Sequence, residues 1–212
     1  SEELSLHNSK GENIHALILN NQAFLPGAGD GAEKPFNFDS LYNTNSVYEK
    51  LENDALCIAA HPFNKVPITQ KFFFKRGIWN EEDSINKDLA GFQIVNGIND
   101  RDYKISKKNW INLLLKGYKK YIYAGNDAHG NFNLFRQISM PMISIKEDKK
   151  QLFGYYRTAI IYDNKNKNIP NIIQLLKKGR CYITNGPLLI MNIKSVENKF
   201  PIGSVITINR SK

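Results

Sequence analysis

Two apolar runs set the limits on how this chain folds. Ala55-Leu-Cys-Ile-Ala-Ala-His-Pro62 opens with six apolar residues and no polar position between them. A strand of that make-up has no face to give to water, so it belongs in a sheet covered on both sides, as parallel strands are. Pro62 has no N–H to donate and stops the pairing, which leaves His61 at the carboxyl end of the strand. The second run, Tyr121-Ile-Tyr-Ala-Gly-Asn-Asp-Ala-His-Gly130, ends on an acid and a histidine two residues apart. Asp127 and His129 can therefore point the same way.

A carboxylate oxygen and an imidazole nitrogen on one side of a strand end are a ready pair of ligands for Zn²⁺, Mn²⁺ or Fe²⁺. Asp and His also cap helices and fill turns, so the pair gains weight only from its company. The chain has four histidines. The amino-terminal stretch reads as two short strands around an Asn8-Ser-Lys-Gly11 turn, with Glu3, Ser5 and His7 sharing one face of the first. In the second, His15, Leu17 and Leu19 share a face, so His15 is carried inward with apolar neighbours while Glu3 can meet it across the turn. Taken alone, His15 reads as a core histidine bonded to a carbonyl.

The order of short motifs adds to this: Glu3-Leu-Ser5, Ile14-His-Ala-Leu17, Ala59-Ala-His-Pro-Phe63, Val95-Asn-Gly97, Ala124-Gly-Asn-Asp-Ala-His-Gly130 and Gly179-Arg-Cys-Tyr-Ile-Thr-Asn-Gly-Pro187. Together they resemble the polymerase-and-histidinol-phosphatase (PHP) superfamily of metal-dependent phosphoesterases, and within it the carbaryl-hydrolase-like branch. The resemblance spans about residues 1–190, with 191–212 as a β-strand segment that starts a second domain. It implies an α/β fold, a distorted (βα)7 barrel incomplete at its N-terminus, with C-terminal β-strands. It also implies up to three divalent ions held by Glu3 as a bridging carboxylate, His15, His61, Asp127 and His129. The family's opening His-x-His strand has no counterpart here, so the chain reads as lacking the first strands of that fold.

The activity implied is phosphoester hydrolysis by a metal-bound hydroxide at a multinuclear centre, with ester or carbamate cleavage as the alternative within the branch. A degenerate, noncatalytic metal-binding scaffold is the alternative from a different class. For a small phosphoester or ester substrate, Arg157 is the expected orienting cation, since an Arg-Thr step recurs in the branch. Arg136 and Lys65 are weaker candidates, and a solvated surface charge is the competing reading of all three.

Composition bounds the rest. A chain of 212 residues with 42% hydrophobic content buries a substantial core, and no apolar span reaches membrane-crossing length. The net charge of +9 raises the question of nucleic acid. The basic pairs Lys107-Lys108, Lys119-Lys120, Lys149-Lys150 and Lys177-Lys178 fall in separate segments, however, so nucleic acid is not the expected partner. Cys57 and Cys181 stand singly in apolar runs and read as small buried hydrophobes, a disulfide between them being left open. Further along, the pattern predicts helix within 37–53, an aromatic loop over 65–86, and a strand over 91–96. Beyond these it predicts a helix over 107–119, a strand over 138–145, a helix over 168–178, and closing strands at 188–193 and 205–208.

Overall fold

The computed structural model describes residues 1–27, 39–128, 137–140, 143–146, 153–162, 171–195 and 198–206. Its centre is a five-stranded sheet in the order β1 (Glu2–His7), β2 (Asn13–Leu19), β3 (Leu56–Ala59), β4 (Leu89–Asn96) and β5 (Tyr121–Gly125). The β1–β2 and β2–β3 pairings are antiparallel, whereas β3–β4 and β4–β5 are parallel.

This corrects the expected (βα)7 barrel: among the described residues the sheet does not close. The reason lies in the connections. The five residues Asn8–Glu12 join β1 to β2 directly, too short for the crossover that a parallel neighbour needs. Only the last two steps have crossovers. β3 reaches β4 through α2 (Ile68–Phe74) and α3 (Glu81–Ile85), and β4 reaches β5 through α4 (Arg101–Leu115). β3 is buried on both faces, as its apolar run requires, yet it is antiparallel to one neighbour and parallel to the other. Continuous burial does not specify strand direction.

The sheet separates two apolar clusters. Leu4, Leu6, Ile14, Ala16 and Ile18 of the hairpin pack with Val47 of α1 (Thr44–Tyr48), Trp79, Phe92 and Leu113 of α4. On the other face, Leu17 and Leu19 pack with Leu56, Ile58, Tyr123 and Leu176 of α5 (Ile172–Lys177). Period two thus puts His15, between Ile14 and Ala16, on the second face. Parallel pairing brings the carboxyl ends of β3, β4 and β5 to one end of the sheet, where His61, Gly97 and Asp127 follow.

Three two-stranded antiparallel sheets complete the described elements: β6 (Gln137–Met140) with β7 (Ile143–Lys146), β8 (Arg157–Ile160) with β9 (Cys181–Thr184), and β10 (Asn192–Lys194) with β11 (Lys199–Pro201). The antiparallel β8–β9 pair docks on β5 through Thr158, whose hydroxyl accepts from the Ala124 N–H at 3.0 Å and lies 3.3 Å from the Ala124 carbonyl.

Other differences from the sequence pattern have local causes. The 65–86 stretch is not all loop, because it holds α2 and α3. α4 starts at Arg101, ahead of the apolar stripe, because Asp100 caps it by accepting from the Tyr103 N–H at 3.0 Å. The 138–145 stretch holds parts of two strands that pair antiparallel, rather than one strand. The closing pair forms from Asn192–Lys194 and Lys199–Pro201, while Leu188 and Val205 are exposed. Cys57 and Cys181 are both free thiols. No helix among the described residues is long and apolar enough to cross a membrane.

Candidate metal centre

Glu3, His15 and His61 come from three different strands and meet at one point. The β1–β2 register sets Glu3 opposite Leu17 and Ser5 opposite His15, so Glu3 and His15 are diagonal neighbours on one face. His61 arrives from the end of β3. It adopts φ 31°, a left-handed conformation uncommon for a residue with a side chain and enriched at functional sites. The segment is anchored by the Ala60 N–H, which donates to the His15 carbonyl at 3.1 Å, and the Trp79 indole donates to the same carbonyl at 3.0 Å.

His15 Nδ1 lies 2.8 Å and His61 Nε2 3.1 Å from the same oxygen, Oε1 of Glu3. An ionised carboxylate only accepts, so each of these nitrogens carries the proton it donates. The side chains of His15 and His61 are 17% and 12% exposed and that of Glu3 28%, so the cluster is partly sheltered but open on one side.

A fourth group completes it. Arg76 follows α2 directly after Lys75, the helix C-cap, whose φ of 47° turns the chain out of the helix. Residues 75–77 then run beside Asn13 of β2, with Asn13 N–H donating to the Lys75 carbonyl and Gly77 N–H to the Asn13 carbonyl, both at 2.9 Å. This sets the guanidinium on the histidines. Arg76 Nη1 donates to His15 Nε2, while Nη2 lies 3.1 Å from His15 Nδ1 and 3.5 Å from His61 Nε2.

The electrostatics follow from this packing. Burial raises the Glu3 carboxyl, but the hydrogen bonds and charges of His15 and His61 outweigh it and hold the group well below the usual carboxylate range. Burial first, and the Arg76 guanidinium next, push the His15 imidazole down to about 4 against the pull of Glu3. At neutral pH the cluster therefore holds an ionised carboxylate and, at position 15, a neutral imidazole. Those are the protonation states in which both groups ligate metal.

The donor set fits a divalent ion. One ligand atom from each of the three residues lies within 4.8 Å of the other two. Around a tetrahedral ion with bonds of about 2.0–2.1 Å, ligand atoms stand about 3.3 Å apart. The 2.8 and 3.1 Å spacings here reach that value on opening by about 0.5 Å or less. A tetrahedral ion held by these three residues alone would keep one position open.

Asp127, Lys65 and Arg157 are the other expected residues that are described. Asp127 is described but does not join the three-residue cluster. It shares the carboxyl end of the sheet with His61, but β5 is two strands from β3, about 10 Å at ordinary strand spacing. Its φ of 52° marks the same kind of strand-end turn. His129 and Arg136 lie outside the described residues. Arg157 opens β8, exposed, next to the Thr158 that bonds to β5, and it does not join the three-residue cluster. Lys65 is exposed on the rim of a cavity of about 440 Å³ that Arg76 also lines.

Arg76 itself escaped the sequence reading. It sits in an aromatic, basic stretch with no motif, and its role depends on the left-handed cap at Lys75. Protein-family models, curated proteins and solved structures were compared with the chain, and none matches.

Proposed function

We propose that this chain is a metal-dependent hydrolase whose catalytic ion is held by Glu3, His15 and His61, with a small phosphoester as the preferred substrate class. The observation that carries this reading is the convergence of two imidazoles and one carboxylate, drawn from three strands, on a partly open point. The PHP-like order of motifs in the sequence supports it, and a carboxylic or carbamic ester is the second substrate class that this resemblance offers.

A divalent ion bound there supplies Lewis acidity, lowering the pKa of water and neutralising charge on the oxygen under attack. The protein's own contribution is positional. Glu3 brings the negative charge that retains a cation and orients both imidazoles. The His15 carbonyl, held by Ala60 and Trp79, fixes the backbone from which its ring projects. The cavity beside Arg76 gives an anionic substrate a basic wall formed by Lys65, Lys71 and Arg101.

A second reading, a noncatalytic scaffold, draws on the same cluster, because Arg76 already supplies a cation to it. The two separate in one experiment. Purified protein is loaded with Zn²⁺ or Mn²⁺ and assayed on p-nitrophenyl phosphate and its diester, alongside His61→Ala and a chelated control. Hydrolysis that needs the metal and falls at least about 100-fold in His61→Ala supports the enzyme. Metal retention without turnover of either ester supports the scaffold.

A further inference from the structure

The contacts of Arg76 and of a metal ion are mutually exclusive at His15. A neutral imidazole has one lone pair. Here the proton is on Nδ1, given to Glu3, and the lone pair on Nε2 is taken by Arg76. An ion bound through Nδ1 needs the lone pair there and the proton on Nε2, which then faces the guanidinium donor to donor. An ion bound through Nε2 takes the guanidinium's place outright. In either case two positive charges cannot share the ring.

The displaced side chain has somewhere to go. Arg76 also lines the cavity of about 440 Å³, together with Glu12, Lys65, Lys71 and Arg101. Glu12 is drawn close by Gly77, because a Cβ on residue 77 would collide with the Glu12 side chain. Its carboxylate, which accepts from the Asn8 side-chain amide at 3.0 Å and keeps lone pairs for a further donor, faces the same cavity as a partner for a guanidinium arriving from the cluster, and the three other basic groups then share the cavity with a fourth.

We propose that Arg76 is an internal cation that competes with the divalent ion for the Glu3–His15–His61 cluster, and that on displacement it enters the neighbouring basic cavity and completes a binding site for an anion. This rests on the reading of the cluster as a metal centre. It adds a coupling, since metal in the cluster strengthens anion binding in the cavity and an anion strengthens metal binding by the same factor.

Calorimetric titration of Zn²⁺ into the wild-type chain and into Arg76→Met tests it. Methionine keeps the aliphatic bulk, and Arg76→Gln serves as a second variant. If the guanidinium fills the cluster in nine molecules of ten, its removal tightens the apparent Zn²⁺ affinity about tenfold. Inorganic phosphate titrated into the Zn²⁺-loaded proteins is expected to bind wild type more tightly than Arg76→Met. Should the variant fail to fold, the arginine side-chain NMR resonance of Arg76 in wild-type protein reads the same event, shifting as Zn²⁺ is added and staying still in His61→Ala. Zn²⁺ held equally or less tightly by folded Arg76→Met, phosphate bound equally by both loaded proteins, or an unmoved Arg76 resonance overturns the proposal alone. Absence of Zn²⁺ binding in both proteins overturns the metal reading with it.

Discussion

Asp83 holds the hairpin that carries Glu3 and His15, and replacing it by alanine has a consequence whose size follows from the contacts. Its carboxylate, 3% exposed, accepts from the Thr44 hydroxyl at 2.6 Å, from the Ser9 hydroxyl at 3.2 Å and from the Ser9 N–H at 3.0 and 3.2 Å. Thr44 is buried as deeply, so its orphaned hydroxyl costs about 1.5–3 kcal/mol. Ser9 is exposed, and water replaces the lost acceptor there, leaving about 0.5 kcal/mol for each of its two donors. Relief from burying a carboxylate offsets a part of the sum. The net loss is about 3 kcal/mol, or a fall in Tm of about 6–12 °C for a chain of this size. Denaturation followed by circular dichroism measures it. A cycle with Thr44→Val isolates the Asp83–Thr44 bond, with an expected coupling of about 1–2 kcal/mol. A loss below about 1 kcal/mol, or strict additivity in the cycle, would refute the reasoning.

Two further outcomes follow from the same structure. Lys120 Nζ is buried against the Asn86 carbonyl and the Leu89 carbonyl, the latter at 2.7 Å, and burial pushes its pKa down to about 8. The unfolded chain, with the ordinary value of 10.5, binds more protons between these limits, so this group's contribution to stability rises as pH climbs from about 8 to 10.5 and is lost as pH falls through 8. Stability curves of wild type and Lys120→Met should therefore diverge over that window, and a constant difference would count against it. Zn²⁺ at about 100 times its Kd should raise stability by about 2.7 kcal/mol, or Tm by about 5–11 °C, and His61→Ala should abolish the shift. An equal shift in both proteins places the ion elsewhere.

How much of this was legible beforehand varies with the range of the interaction. The burial of β3 is written in its apolar run, and the diagonal placing of Glu3 and His15 follows from period two across a short turn. The end of β3 was likewise marked by Pro62. Strand direction was not legible, because an apolar strand is equally content beside a parallel or an antiparallel neighbour, and the barrel expectation failed there. Arg76 was hidden for a different reason. It reaches the cluster through a left-handed residue and a bridge to Asn13, neither of which leaves a pattern in the sequence. Asp127 resembles a ligand in its local motif, but its distance from the cluster is set by strand order, a property of the whole sheet.

The central claim is that Glu3, His15 and His61 together hold one divalent ion. Crystals of the protein soaked in Zn²⁺ and measured across the zinc absorption edge test it most directly. The account predicts one anomalous peak about 2.0–2.2 Å from an oxygen of Glu3 and from one ring nitrogen each of His15 and His61, with the Arg76 guanidinium withdrawn. An anomalous map without a peak at this point, with Arg76 still on the His15 ring, would contradict it.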